Sequence, residues 1–282
     1  MEQGSSEWLE YRRNKIGASD CPVIMNVSPW KTQYQLWLEK CGAVEPHVNN
    51  SMRRGSQLEA EARQSFIEYI GIEVFPSVEV HRDHSWMIAS LDGRDLEKKT
   101  IVEIKCPGKD DHNLALEGKV PDKYYPQLQH QMEVCNVDRM YYYSYDGKNG
   151  VCVEIERNNS YVKKMIEAEL KFYDCMVSFY PPELGDGDFV ERNDEEWTTV
   201  ALQWRDVSEE LKDLKIKEDD LRRKLIWMAG EKDTKGSGVT LNRIVRKGMV
   251  DYKKIDQLQG LNLEPFRKPN IICWTIRPED YL

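Results

Sequence analysis

The spacing of apolar residues changes from helical to alternating after Gly71, and this change constrains the fold more than any other feature of the chain. Between Gln57 and Ile70 apolar side chains recur every three or four residues, which predicts a helix that Gly71 ends. Three later segments, 72–80 (interrupted at Pro76), 86–90 and 100–106, alternate as strands do. The sequence therefore predicts a mixed fold, α/β or α+β, with a sheet after the first helices.

The third of these strands carries an acid and a base on one face. Alternation places Glu103 and Lys105 together, opposite Val102 and Ile104, while Asp92 ends the second strand in an Asp-Gly turn. If the two strands are neighbours, the carboxylates of Asp92 and Glu103 meet and repel unless a divalent cation lies between them. Oxygen ligands, with the Ile104 carbonyl as a third, favour Mg²⁺ or Mn²⁺ over zinc. A solvated strand face with an ion pair is the alternative.

Other polar residues flank this pattern. Glu59 lies on the first long helix, where it either reaches the metal or pairs with Arg63 at i+4. Gln127 and Gln131 share one face of a helix in the stretch "YYPQLQHQMEVCNV". They would hold a phosphate or water there, or be ordinary surface residues.

The N-terminal region offers a phosphate site. A helix over 7–14 carries Arg12, Gly17 is predicted as a turn, and Ser19 is predicted to cap a second helix. Thr32 is predicted to cap a third helix that ends at Gly42. The remainder of this region predicts a hairpin with its turn at 146–149 and a long helix over 158–179.

Composition limits the classes of protein. The net charge of -9 argues against a uniformly basic surface, and seven cysteines without a CxxC pair favour reduced thiols over a zinc ribbon. With no apolar run long enough for a membrane span, the expected location is the cytoplasm. We predict a core over 1–182, an acidic linker over 183–207 and a C-terminal appendage over 208–282. The appendage combines a Leu-lined charged helix over 208–229, read as a subunit interface, with strands in 238–248 and 269–278 and a basic stretch read as a DNA contact.

Five motifs in order carry a family resemblance: "RRNKIGASD", "RRGSQLEAEAR", "IASLDG", "VEIKCP" and "YYPQLQHQMEV". Over roughly residues 6–178 the chain resembles the phage lambda exonuclease and YqaJ-like recombinase family, a branch of the PD-(D/E)XK nucleases. The resemblance implies a central mixed β-sheet flanked by helices. It implies metal ligation by Asp92, Glu103, the Ile104 carbonyl and Glu59, catalysis with Lys105 and Gln127, and phosphate contacts from Arg12, Ser19, Ser90 and Lys109.

The resemblance also implies an activity. Such proteins are Mg²⁺-dependent deoxyribonucleases (Mn²⁺ substituting) that digest linear duplex DNA from the 5′ end, release 5′-mononucleotides and leave 3′ overhangs. They form ring-shaped homo-oligomers, trimers or tetramers, and act beside a single-strand annealing protein. A PD-(D/E)XK endonuclease of restriction or junction-resolving type would carry the same metal site. A catalytically silent DNA-binding module on this fold is the third alternative.

Overall fold

The computed structural model describes residues 6–45 and 50–244, and these form parts of two compact units. The first unit is Met1–Val190 and the second is Glu191–Leu282. The helices are α1 (Ser6–Arg13), α2 (Cys21–Ile24), α3 (Gln33–Lys40), α4 (Asn50–Ile70), α5 (Lys109–Leu116), α6 (Tyr125–Cys135), α7 (Asn159–Ser178) and α8 (Glu195–Ala229). The strands are β1 (Ile16–Gly17), β2 (Phe75–Val80), β3 (Met87–Arg94), β4 (Ile101–Lys105), β5 (Arg139–Tyr145), β6 (Gly150–Glu156), β7 (Thr234–Gly236) and β8 (Val239–Leu241).

A mixed sheet organises the first unit, as the sequence predicted. Its order is β1-β3-β4-β5-β6, with β2 also paired to β3. The pairs β1–β3 and β4–β5 are parallel, and the pairs β2–β3, β3–β4 and β5–β6 are antiparallel. The hairpin β5–β6 has its turn at 146–149, and the register of β2 shifts between Phe75 and Ser77, at the predicted interruption.

The two faces of β4 pack against different helices. Val102 and Ile104 pack in one cluster with Phe66 of α4. Ile101 packs in a second cluster with Leu128 and Met132 of α6. The predicted alternation along β4 is therefore confirmed, and it places Glu103 on the face that α6 covers.

The predicted Asp-Gly turn at 92–93 is wrong, because β3 continues through both residues to Arg94. A Cβ on Gly93 would lie 2.6 Å from Cγ2 of Val74 and 2.7 Å from Cγ1 of Val102, so Gly93 allows close packing and not a turn. The reversal comes later, where the Asp95 carboxylate accepts hydrogen bonds from the backbone N–H groups of Lys99 and Thr100.

The N-terminal caps differ from the sequence interpretation at one position. Gly17 lies in β1 and is followed by a 3₁₀ turn over Ala18–Asp20, so Ser19 lies inside this turn and does not cap α2. Thr32 caps α3 as predicted, since its hydroxyl accepts a hydrogen bond from the Gln35 N–H. All six cysteines among the described residues are unpaired, as expected.

The second unit contains α8 and the short hairpin of β7 and β8. α8 begins at Glu195, where the Asp194 carboxylate caps it, so the predicted linker is shorter than 183–207 and the predicted helix start at 208 is too late. Of the two predicted strands, only the first falls partly among the described residues, and the segment 269–278 lies outside them. None of the helices described here is both long and apolar enough to cross a membrane.

Candidate active site

One cleft of about 160 Å³ brings together most of the residues singled out from the sequence. It lies between the N-terminal segment, β3, β4 and α6. Six of the predicted site residues line it: Arg12, Ser19, Ser90, Asp92, Glu103 and Gln127. Residues separated by more than a hundred positions in the sequence therefore share one cavity. The alternative interpretation, an ion pair on a solvated strand face, does not account for this convergence.

Glu103 is the most constrained acid of the cleft. Its side chain is 3% exposed, and its Oε1 accepts hydrogen bonds from Lys105 Nζ at 2.5 Å and from Gln127 Nε2 at 2.6 Å. Its Oε2 accepts one from Gln131 Nε2 at 2.5 Å, and the same amide contacts the Ser90 carbonyl at 3.2 Å. The glutamines of α6 thus hold the Glu103 carboxylate in place, whereas the sequence analysis had offered a phosphate or water as their ligand, or ordinary surface positions.

Asp92 meets Glu103 because β3 and β4 stop pairing beside it. The ladder between the two strands contains only Gly93 opposite Val102 and Arg94 opposite Ile101. Beyond this ladder, the backbone N–H of Ile104 donates a hydrogen bond to the side chain of Asp92, with 2.8 Å between the nitrogen and Oδ2. Burial, together with the charge of Glu103, raises the pKa of Asp92 well above its usual value. The role of the Ile104 carbonyl as a ligand stays a prediction.

Lys105 partly neutralises this pair. Burial opposes its charge, but the adjacent Glu103 and Asp92 outweigh burial and raise the pKa of Lys105. Its ammonium also lies 5.5 Å from the centre of the Tyr124 ring, a cation–π distance. Lys105 is therefore held as a cation beside the two carboxylates.

Glu59 is not part of the cleft lining, and Arg63 connects it to the site. Glu59 accepts from Arg63 Nη2 at 2.5 Å, the i+4 pair that the sequence offered as the alternative. The Nε of the same guanidinium donates to the backbone carbonyl of Asp92 at 2.6 Å. Glu59 also contributes to the raised pKa of Asp92, after burial and Glu103. Direct metal ligation by Glu59 stays a prediction.

The predicted phosphate-binding end of the cleft is built on Asp20, which ends the motif "RRNKIGASD" but was given no role from the sequence. Arg12 donates to the Ser19 hydroxyl and contacts Asp20 Oδ1 at 3.3 Å. Lys40 lies 2.6 Å from Asp20 Oδ2, and the Gly17 N–H donates to the same oxygen at 2.8 Å. Asp20 therefore orients Arg12, whose guanidinium also donates to the Ser19 hydroxyl and whose side chain is 33% exposed at the cleft.

Lys109 does not join this arrangement. It is the first residue of α5, it is exposed, and it does not line the cleft. Asp20 and Lys40 are neighbours of these residues to which the sequence analysis gave no role, and Arg63 was named only as the ion-pair partner of Glu59. Gln131 was named with Gln127, and the structure places its amide on Glu103.

The acid cluster fits a divalent cation. Asp92 and Glu103 present two buried carboxylates beside one compensating lysine, and burial, followed by the charge of Glu103, raises the pKa of Asp92. Oxygen donors of this kind suit Mg²⁺ or Mn²⁺. Asp92 and Glu103 would hold the ion, because both face the cleft.

The comparisons with known proteins agree with the motifs. The chain is 29% identical over 183 residues to the uncharacterized protein YqaJ of Bacillus subtilis (strain 168), covering 62% of this chain and 57% of that protein. It is 28% identical over 153 residues to an uncharacterized protein of Acanthamoeba polyphaga mimivirus, covering 49% of this chain and 28% of that one. The matches therefore span less than two thirds of either curated relative.

The fold is also found among solved structures. The alkaline exonuclease LHK-Exo from Laribacter hongkongensis superposes with a TM-score of 0.54 at 24% identity, covering 62% of this chain and 94% of that one. The structure of LHK-Exo in complex with dAMP matches equally well. These similarities confirm the predicted fold class. Residues 7–138 match the family model of the YqaJ-like viral recombinase domain, and this confirms the family resemblance that the five motifs indicated.

Proposed function

We propose that this chain is a metal-dependent exonuclease that degrades linear double-stranded DNA from the 5′ end, releasing 5′-mononucleotides and leaving 3′ overhangs for recombination by strand annealing. The observation that carries the proposal is the composition of the cleft. One cavity joins a carboxylate pair suited to Mg²⁺ with a separate arginine–serine pair suited to phosphate.

Arg12 and Ser19 line the same cleft as Asp92 and Glu103, and the family resemblance is what gives the direction of attack. Arg12 and Ser19 would bind a terminal 5′-phosphate by charge-assisted hydrogen bonds, while the scissile phosphate lies at Asp92 and Glu103. A cleavage site inside a duplex, away from its ends, would offer no terminal phosphate for Arg12 and Ser19 to bind. The binding of dAMP by LHK-Exo supports a site that accommodates a nucleoside monophosphate.

In the proposed reaction, each of these cleft residues has a different role. A divalent cation held by Asp92 and Glu103 would supply an activated water and stabilise negative charge on the phosphoryl group. Gln127 and Gln131 fix the rotamer of Glu103 through hydrogen bonds at 2.6 and 2.5 Å. Lys105 places its ammonium where negative charge develops or where the attacking water is held.

A duplex labelled at either its 5′ or its 3′ end tests the direction. With Mg²⁺ the 5′ label should be released first as a mononucleotide, and Asp92→Asn and Glu103→Gln should each abolish release. Early loss of the 3′ label would refute the polarity. Cutting of covalently closed circular DNA would support the endonuclease alternative.

The role of Arg12 has a matched control on the same helix. Arg12→Ala should reduce the preference for 5′-phosphorylated over 5′-hydroxyl ends, because a charge-assisted contact is worth roughly 1.5–3 kcal/mol, or about 10- to 150-fold. Arg13→Ala is the control, since Arg13 is exposed, pairs with Glu10 and does not line the cleft. An unchanged preference in Arg12→Ala would remove this residue from end recognition.

The assembly and the partner also belong to this proposal. We expect a ring-shaped homo-oligomer, a trimer or tetramer, that encircles DNA and acts with a single-strand annealing protein in the cytoplasm. The family resemblance supports this expectation, and a ring reconciles an acidic chain with DNA binding if the basic groups face the lumen. A monomeric enzyme of unchanged processivity would contradict it.

A further inference from the structure

Helix α8 carries a heptad repeat along its whole length. It has 35 residues, and its apolar side chains are separated alternately by three and four positions. The resulting stripe, which we call the heptad stripe, has one charged member, Glu218. Its members are Trp197, Val200, Trp204, Val207, Leu211, Leu214, Glu218, Leu221, Leu225 and Met228.

The heptad stripe is open to solvent in the single chain. Within the part of the chain that the structure describes, α8 has no buried residue. Leu211 and Leu214, at its middle, are 53% and 59% exposed. Large aliphatic side chains at these positions gain stability only when another surface covers them. A strict repeat of 3.5 residues turns such a stripe toward one partner helix over its full length, which is the geometry of a left-handed coiled coil.

The partner that fits is α8 of a second copy of this chain, and the charges select its direction. The first half of α8, to Glu210, is net acidic, and the second half is net basic. An antiparallel pair places each acidic half against the basic half of the partner. In that register, Leu211 of one helix packs against Leu214 of the other, and Trp197 packs against Met228. Beside these core layers, Glu210 of one helix faces Lys217 of the other.

A parallel pair is disfavoured by two contacts. It would oppose Glu218 with its own copy in the buried layer, and Lys217 with Arg222 on the flank. The antiparallel pair instead packs Glu218 against Val207 and separates the two copies of Glu218 by about 16 Å, eleven residues at about 1.5 Å each. The five heptads of α8 exceed the three to four that mark a coiled coil.

We propose that α8 pairs with α8 of a second copy of this chain as an antiparallel two-stranded coiled coil. The proposal does not depend on the nuclease activity, since α8 contributes no residue to the cleft. If the nuclease units also assemble into rings, the coiled coil joins two such assemblies with two-fold symmetry.

Sedimentation velocity of the full chain tests the pairing. Leu214→Lys should halve the mass of the assembly, because it places a charge in the central layer of the stripe. Ile216→Lys is the matched control: Ile216 is similarly exposed, at 62%, but lies outside the stripe, so the mass should stay that of the wild type. Both side chains are exposed in the single chain, so neither substitution empties a core. The proposal would be overturned if the assembly of Leu214→Lys had the same mass as that of the wild type, or one third of it.

Cysteine cross-linking tests the direction independently. Chains carrying Trp197→Cys are mixed with chains carrying Met228→Cys, oxidised, and digested to identify the linked peptides by mass spectrometry. The antiparallel pair predicts links between position 197 of one chain and position 228 of the other. A parallel pair would hold these positions about 46 Å apart and would link each position only to itself, which would refute the antiparallel arrangement.

Discussion

Replacing Asp20 with Asn should destabilise the protein in a way that depends on pH. Asp20 is 6% exposed and accepts contacts from Lys40 at 2.6 Å, from Arg12 at 3.3 Å and from the Gly17 N–H at 2.8 Å. Asn keeps the shape and can still accept from Gly17, but it removes the anion that lies between these two cations. The change therefore isolates the charge of Asp20 from its packing.

The magnitude follows from the pKa of Asp20. Burial opposes its ionisation, but Lys40 and Arg12 outweigh burial and lower its pKa from 3.8 to about 2. A carboxyl whose folded pKa is depressed stabilises the fold above its unfolded pKa and loses that contribution as the pH falls through the folded value. The contribution is about 2 kcal/mol at pH 7 and falls to about 1 kcal/mol at pH 3. Burial lowers the pKa of Lys40, so the ion pair as a whole contributes less than this carboxyl alone.

Urea unfolding of wild type and Asp20→Asn between pH 7 and pH 3 measures this contribution. The variant should lose about 2 kcal/mol at pH 7, because Lys40 and Arg12 are left facing each other, and the difference should shrink toward pH 3. Asp83→Asn is the control: Asp83 pairs with Arg82 at an exposed site, where such pairs contribute little. A difference that stays constant with pH would refute the electrostatic explanation of the Asp20 site.

Three further predictions concern the carboxylates. Asp92→Asn should raise the melting temperature of the metal-free protein, increasingly as the pH rises above about 4, because a raised pKa makes ionised Asp92 destabilising. The same variant should lose the Mg²⁺-induced rise in melting temperature. Gln131→Leu should cost about 1.5–3 kcal/mol of transition-state stabilisation in kcat/KM by freeing Glu103, and near-normal rates would contradict that role. Arg63→Met should weaken Mg²⁺ binding measured by calorimetry, since Asp92 and Glu59 lose their shared donor.

The sequence predicted those parts of the site that depend on local periodicity. Alternation along β4 is set by the backbone, so the shared face of Glu103 and Lys105 follows from their spacing of two residues alone. Helical spacing likewise placed Gln127 and Gln131 on one side of α6. The family motifs then selected the metal site over an exposed ion pair, a choice that spacing alone left open.

The contacts that complete the site could not be predicted from the sequence, because they join distant elements. Asp20 binds Lys40 of α3 and Arg12 of α1, and no spacing rule connects three such segments. Asp92 was predicted as a turn residue because Asp-Gly is a common turn signal, whereas packing against Val74 and Val102 is what Gly93 provides. Local signals therefore placed the candidate residues on their helices and strands, and tertiary packing decided which partners they have.

A buried histidine–glutamate contact beside the glutamines ties α6 to its neighbours. His130 lies between Gln129 and Gln131, is 0% exposed, and contacts Glu169 of α7 at 2.7 Å and the Ile88 carbonyl of β3 at 3.0 Å. Burial disfavours the imidazolium, but Glu169 and the carbonyl outweigh burial and raise the pKa of His130. With an oxygen acceptor at each ring nitrogen, the protonated ring satisfies both, and it ties α6 to α7 and to β3 at once. Because Gln131 is the next residue along the helix, this tie also holds the backbone from which the Gln131 amide donates to Glu103.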